Sequence, residues 1–167
     1  MTPAVKPIPD GYHTITASLT CKDAARAIDF YKKVFGAAEK MRMNSPDGNV
    51  MHAELQIGDS LLFLGGEFPG MSAAPAEGAV PSSGLYLYVE DADAIFGQAV
   101  AAGCQVTMPL TNMFWGDRYG KVVDPFGHHW GISTRVEEVS PEEMERRGQE
   151  WMASLTSEKA KAAAGQD

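Results

Sequence analysis

From Thr14 onward the chain alternates. Ile15, Ala17 and Leu19 fall on one side of an extended segment and Thr14, Thr16, Ser18 and Thr20 on the other, the signature of a half-buried strand. After Asp23, a good N-cap, the period changes: Ala24, Ala27, Ile28, Tyr31, Val34 and Phe35 recur at helical spacing, and Gly36 supplies the stop. A short strand to about Asn44 leads into the turn Pro46-Asp47-Gly48-Asn49. Val50 to Ile57 then alternates, with Met51, Ala53, Leu55 and Ile57 against His52, Glu54 and Gln56. Gly58-Asp59 turns the chain into Leu61-Leu62-Phe63-Leu64, a hairpin. Residues 1–12, with three prolines and a glycine, read as an extended arm.

The pattern breaks over residues 67–83, rich in Gly, Pro, Ala and Ser, and then repeats. Gly84 to Val89 sets Leu85, Leu87 and Val89 against Tyr86 and Tyr88. Asp91 or Asp93 caps a helix carrying Ile95, Ala99 and Ala102, which Gly103 ends. The last strands run over about Gly116–Val123 and His128–Arg135, joined by Asp124-Pro125-Phe126-Gly127. The expected division is therefore one domain over residues 1–139, with a first module at 13–66, a linker at 67–83 and a second module at 84–135. Ser140-Pro141-Glu142-Glu143 reads as a capped helix start, so 140–167 is a C-terminal helix ending in a frayed tail. Its sparse apolar set, Met144, Trp151, Met152 and Leu155, suits docking on the domain or on a second subunit.

At 167 residues and 44% hydrophobic, the chain can close one ordinary core. Its 14 Lys and Arg against 22 Asp and Glu give a net charge of −8, which repels phosphate backbones, so nucleic acid is not an expected partner. No segment approaches the roughly 20 apolar residues of a membrane span, and the N-terminus has no apolar signal region, so the expected location is the cytoplasm. Cys21 and Cys104 sit in no CxxC or Cys/His cluster and read as small buried hydrophobes.

Three stretches carry a family resemblance. Lys22-Asp23-Ala24-Ala25-Arg26-Ala27-Ile28-Asp29-Phe30-Tyr31-Lys32-Lys33-Val34-Phe35-Gly36 resembles the helix that opens many glyoxalase and bleomycin-resistance proteins of the vicinal oxygen chelate superfamily. Val50-Met51-His52-Ala53-Glu54-Leu55, and Met113-Phe114-Trp115-Gly116-Asp117-Arg118-Tyr119-Gly120 before Asp124-Pro125-Phe126-Gly127-His128-His129-Trp130, are similar to its PhnB-like branch. The resemblance spans most of residues 13–135. It implies an α+β fold of two βαβββ modules forming a U-shaped mixed sheet around a cavity, helices on the outer face, and a homodimer as the working unit. It also implies, in metal-dependent members, a divalent ion held by His or Glu from the first and last strand of each module. Those positions fall here on Thr16, Gly84 and Gly131, and near Leu62 with a possible one-residue error. None of the four can serve as a ligand, so no cofactor is expected and a divalent metal is disfavoured.

If the apolar residues pack under the helices, the other face presents Thr14, Thr16, Ser18, His52, Glu54, Gln56, Tyr86, Tyr88, His129 and Ser133. Such a wall suits a small polar or aromatic ligand; it equally suits a plainly solvated sheet face. His52 and Glu54 are the catalytic candidates, as an acid–base pair, with a solvated structural pair as the alternative. Tyr86, Tyr88, Trp115, Arg118 and His129 are the ligand-binding candidates. Arg118 has the fork to clamp a carboxylate or phosphate and Trp115 the area to cover a ring, unless Asp117 and Arg118 form a turn that Trp115 merely anchors. His128 reads as a surface or turn-capping residue and Trp130 as core.

Three functions follow. The first is a metal-independent small-molecule-binding protein. The second is a lyase, isomerase or dioxygenase using a relocated metal at His52, Glu54 and His129, or metal-free acid–base chemistry at His52. The third is a structural or partner-binding role with a filled cavity. No Gly-rich loop opens a helix after a strand, so no nucleotide cofactor is signalled.

Overall fold

The computed structural model describes residues 5–80 and 82–164. The first module comprises β1 (Ala17–Thr20), α1 (Ala24–Phe35), β2 (Ala38–Asn44), β3 (Val50–Ile57) and β4 (Ser60–Gly65). The second comprises β5 (Leu85–Tyr88), α2 (Ala92–Ala101), β6 (Gln105–Asn112), β7 (Asp117–Val123) and β8 (His129–Arg135), and α3 (Pro141–Ala164) follows. Each module is a βαβββ unit whose four strands form one mixed sheet, in the orders β1-β4-β3-β2 and β5-β8-β7-β6. The first strand of each pairs in parallel with the last, and the remaining pairs are antiparallel.

Local chemistry accounts for the helices. The Asp23 carboxylate accepts the amide of Arg26 at 3.0 Å, and Gly36 closes α1 in the left-handed region at φ 65°, where a side chain would be strained. Of the two candidate caps of α2, Asp91 is the one used: it accepts the amide of Ala94 at 2.9 Å. The Ser140 hydroxyl accepts the amide of Glu143 at 3.2 Å and starts α3.

The registers superimpose the two modules. Ala17 pairs with Leu62 as Leu85 pairs with Trp130, and Glu54 pairs with Phe63 as Lys121 pairs with Gly131. Tyr86 and Tyr88 are thus the counterparts of Ser18 and Thr20, Tyr119 of His52, Lys121 of Glu54, and Gly131 of Phe63. The faces have the same geometry and different furniture.

Ile28, Tyr31, Val34, Leu55, Leu64, Val122 and Ile132 are fully buried, in one core shared by both modules. The seam is aromatic, with Phe35 and Trp130 centroids 4.5 Å apart and Phe30 and Phe126 5.6 Å apart. At its centre lies Asp124, 4% exposed and fully bonded. One carboxylate oxygen accepts the Tyr31 hydroxyl at 2.6 Å and the Trp130 indole N–H at 2.9 Å; the other accepts the amides of Phe126 and His128, both at 2.9 Å. Burial, then the charge of Asp124, pushes the Tyr31 hydroxyl well above its ordinary range.

One expectation is corrected here. β1 starts at Ala17, and Ile15, expected on its buried face, is 87% exposed. Its register would place Ile15 opposite Ser60, at the β3–β4 turn, where the ladder has no further strand to pair with. α2 runs to Ala101 with Ala102 as its C-cap, and Gly103 stops it at φ 105°. Gly165 to Asp167, at the end of the tail expected to fray, lie outside the described residues. The buried thiols and Trp130 lie in the core, where the sequence pattern puts them.

Candidate functional site

Strand alternation arms one face of the second module. Tyr86 and Tyr88 project from β5, Asp117, Tyr119 and Lys121 occupy alternate positions of β7, and Gly131 and Ser133 do so on β8. Asp117 is 3% exposed and Ser133 fully buried. A single carboxylate oxygen, Oδ2 of Asp117, accepts the hydroxyls of Tyr88 at 2.8 Å, Tyr86 at 3.0 Å and Ser133 at 3.1 Å. Three neutral donors on one buried carboxylate fix both tyrosine rings without a cation. The bond to Asp117, and then burial, raises the Tyr88 hydroxyl far above the ordinary phenol range, so it stays a donor.

The rings make a wall. Tyr86 stacks on Tyr119 with centroids 5.0 Å apart and planes within 8°. Trp115 meets Tyr119 edge-on at 5.6 Å, and Phe114 links Trp115 at 4.9 Å to Trp151 of α3 at 5.5 Å. These residues border an open cavity of about 560 Å³, lined by Tyr86, Tyr88, Met108, Met113, Trp115, Tyr119, Lys121 and Trp151. The C-terminal helix therefore supplies one wall. It is held there by Arg147, which forks onto Glu137 at 2.8 and 2.9 Å and reaches Glu143 at 2.6 Å. Gly148 lets the helix come close: a Cβ there would lie 3.2 Å from the Phe114 ring.

The first-module face is closed by its own chain. His52 lies 3.4 Å from Glu54 and packs edge-on to Phe63 at 5.0 Å, and the Tyr12 hydroxyl, arriving from the N-terminal arm, bonds Glu54. That bond is the main reason the Tyr12 hydroxyl is raised above its usual range.

Tyr86, Tyr88 and Trp115 are thus brought together, whereas Arg118 points to the other face of β7. Its guanidinium pairs with Asp93 of α2 at 2.5 Å and reaches Asn112 at 3.3 Å. His129 lines a separate, smaller cavity of about 310 Å³ that abuts the first. His52, Glu54 and His129 do not converge, and no group of three or more His, Cys, Asp or Glu able to hold a metal occurs among the described residues. His128 is a bridge between modules, its Nε2 lying 3.0 Å from the carbonyl of Thr20 and 3.5 Å from the Cys21 sulfur.

Asp117, Tyr119, Lys121 and Trp151 were missed as site residues. A signal existed for three of them: alternation along β7 puts 117, 119 and 121 on the face opposite Arg118. Trp151 depends on where α3 docks, which no local pattern encodes.

The usual metal positions do not fit an ion. Strand register makes Phe63, rather than Leu62, the counterpart of Gly131, so the positions the resemblance implies correspond between modules as Thr16 with Gly84 and Phe63 with Gly131, and none of these side chains is a carboxylate, imidazole or thiol. The space above Gly131 belongs to Tyr119, whose ring carbon lies 2.7 Å and hydroxyl 2.8 Å from where a Cβ would stand.

Comparison with known proteins agrees with this architecture. An uncharacterized Mycobacterium bovis protein is 42% identical over 136 residues, spanning 78% of this chain and 89% of the relative. Among solved structures, TioX from Micromonospora sp. ML1 is similar at 26% identity and a TM-score of 0.60, with 75% of this chain and all of TioX covered. The PhnB protein of Bacillus cereus shares the fold at 20% identity and a TM-score of 0.58, over 73% of this chain and 99% of that one. A family model matches residues 12–132, nearly the whole of both modules, and the chain belongs to the Glyoxalase/Bleomycin resistance protein/Dioxygenase superfamily.

Proposed function

We propose that this chain is a metal-independent binding protein for a small planar organic molecule, held against the aromatic wall of the second module. The observation that carries this reading is the cavity of about 560 Å³ lined by Tyr86, Tyr88, Trp115, Tyr119 and Trp151. Its size falls in the range of small-molecule sites, and its lining is apolar with a few directed polar groups, as such sites require. The Asp117 network preorganises it: two of the rings are fixed before any ligand arrives, so less ordering entropy opposes binding.

Acid–base chemistry at His52 and Glu54 is the weaker reading, because the Tyr12 hydroxyl already occupies Glu54. A homodimer belongs to the proposal. Tyr86 and Tyr88 are 46% and 63% exposed, and rings of that size on an open face are the kind of surface a second copy covers. A cytoplasmic location belongs to it too, consistent with two free buried thiols.

The test is a thermal-shift screen of planar aromatic compounds on the wild type and on Trp115→Ala. A binder at 100 times its Kd stabilises by about 2.7 kcal/mol, enough to raise the melting temperature by several degrees. Hits that lose their shift in Trp115→Ala support the reading. A screen in which every shift survives Trp115→Ala places binding elsewhere and overturns it.

A further inference from the structure

We infer that the smaller cavity beside the aromatic one is an anion subsite, and that the ligand is a planar aromatic carrying an acidic group. The inference rests on the aromatic cavity being a ligand site, and adds to it the chemical class of the ligand.

The two cavities share Tyr86, Tyr119 and Lys121, so one molecule can occupy both. The smaller, of about 310 Å³, has a floor without side chains at Gly84 and Gly131. Register sets Lys121 directly opposite Gly131 and His129 opposite Val123, so Lys121 and His129 stand as diagonal neighbours across that floor. Three residues able to donate line it: Lys121, His129 and Tyr119. No carboxylate lines the cavity.

Two further observations point to an anion. Tyr119 is 6% exposed, and its hydroxyl bonds no other group among the described residues; it lies over Gly131, at the smaller cavity. The hydroxyl keeps contact with solvent there, and a ligand oxygen can take the place of that water as its acceptor. Lys121 is also unpaired among the described residues, although the chain carries a net charge of −8 and its arginines are repeatedly engaged by carboxylates. A cation kept free of internal counter-charge beside an aromatic wall suits an aromatic acid, with its ring against Tyr86 and Trp115 and its acid group among Lys121, His129 and the Tyr119 hydroxyl.

The probes are 2-naphthoate and its neutral counterpart 2-naphthamide, titrated calorimetrically into the full chain. The acid is expected to bind about tenfold or more tightly than the amide, the ratio expected of one charge-assisted contact. Lys121→Met, at an exposed position, should abolish that preference, read as the ratio of the two affinities, without changing the melting temperature. Tyr119→Phe, which keeps the ring stack, should lower the acid-to-amide ratio. If acid and amide bind within about twofold of each other, or the preference survives Lys121→Met, the anion subsite is wrong and the aromatic cavity stands. If neither probe binds, the aromatic cavity fails as a ligand site and the anion subsite falls with it.

Discussion

The hydroxyl of Tyr88 donates to Asp117 Oδ2 at 2.8 Å, joining a strand at the edge of the second sheet to a buried carboxylate two strands away. Tyr86 and Ser133 converge on the same oxygen, so one acceptor fixes the wall of the aromatic cavity.

Replacing that acceptor should therefore cost both stability and binding. Asp117→Ala leaves the fully buried Ser133 hydroxyl without its acceptor and frees both tyrosine rings, and a loss of about 1–3 kcal/mol is expected in urea unfolding. Asp117→Asn retains an acceptor oxygen and should cost less. An Asp117→Ala protein as stable as the wild type would show that the network does not hold the wall.

The seam between modules makes a second, sharper case. Tyr31→Phe removes one of four donors to Asp124 and keeps the ring, so about 1 kcal/mol should be lost. Asp124→Ala strands two amides, an indole N–H and the Tyr31 hydroxyl together, and should cost about 3 kcal/mol or more. Equilibrium unfolding of the two variants reads the difference; equal costs would mean that Asp124 contributes only through Tyr31.

Much of this is legible in the sequence. Asp23, the apolar positions of α1 and Gly36 specify a helix by local chemistry alone, and the alternation of Leu85 to Tyr88 puts the two tyrosines on one face. The failures have a common physical cause, which is that pairing partners are non-local. Ile15 continues the strand pattern but has no neighbour left to pair with. Arg118 was singled out for its chemistry, although alternation on β7 assigns the cavity to Asp117 and Tyr119 and leaves Arg118 to Asp93. The bridge from His128 to Thr20 spans more than a hundred residues and is written in no window of sequence.

Alkaline pH should destabilise the fold in a defined window. Burial pushes the thiols of Cys21 and Cys104 from 9.0 up to about 12, and raises the Tyr31 hydroxyl as well. These groups lose their protons at lower pH in the unfolded chain than in the folded one, so the unfolded chain binds fewer protons and stability falls as pH rises. The contribution is intact below pH 9 and disappears between 9 and about 12. Unfolding measured from pH 8 to 12 should show that decline, and Cys21→Ala with Cys104→Ala should flatten it. A slope unchanged in the double variant would assign the alkaline limb to Tyr31 and other groups.

The place of Gly131 under Tyr119 gives the last test. A Cβ at residue 131 would stand 2.7 Å from a Tyr119 ring carbon, and the ring cannot yield without losing its stack on Tyr86. Gly131→Val should therefore cost about 1–3 kcal/mol as an overpacking substitution. Placed in a Tyr119→Ala background, where the space is open, the same substitution should cost distinctly less, giving a coupling of about 1 kcal/mol or more between the two positions. A cycle of four proteins by urea denaturation measures it. If Gly131→Val costs the same in both backgrounds, the penalty comes from the strand itself, and the ring of Tyr119 is not what excludes a side chain from residue 131.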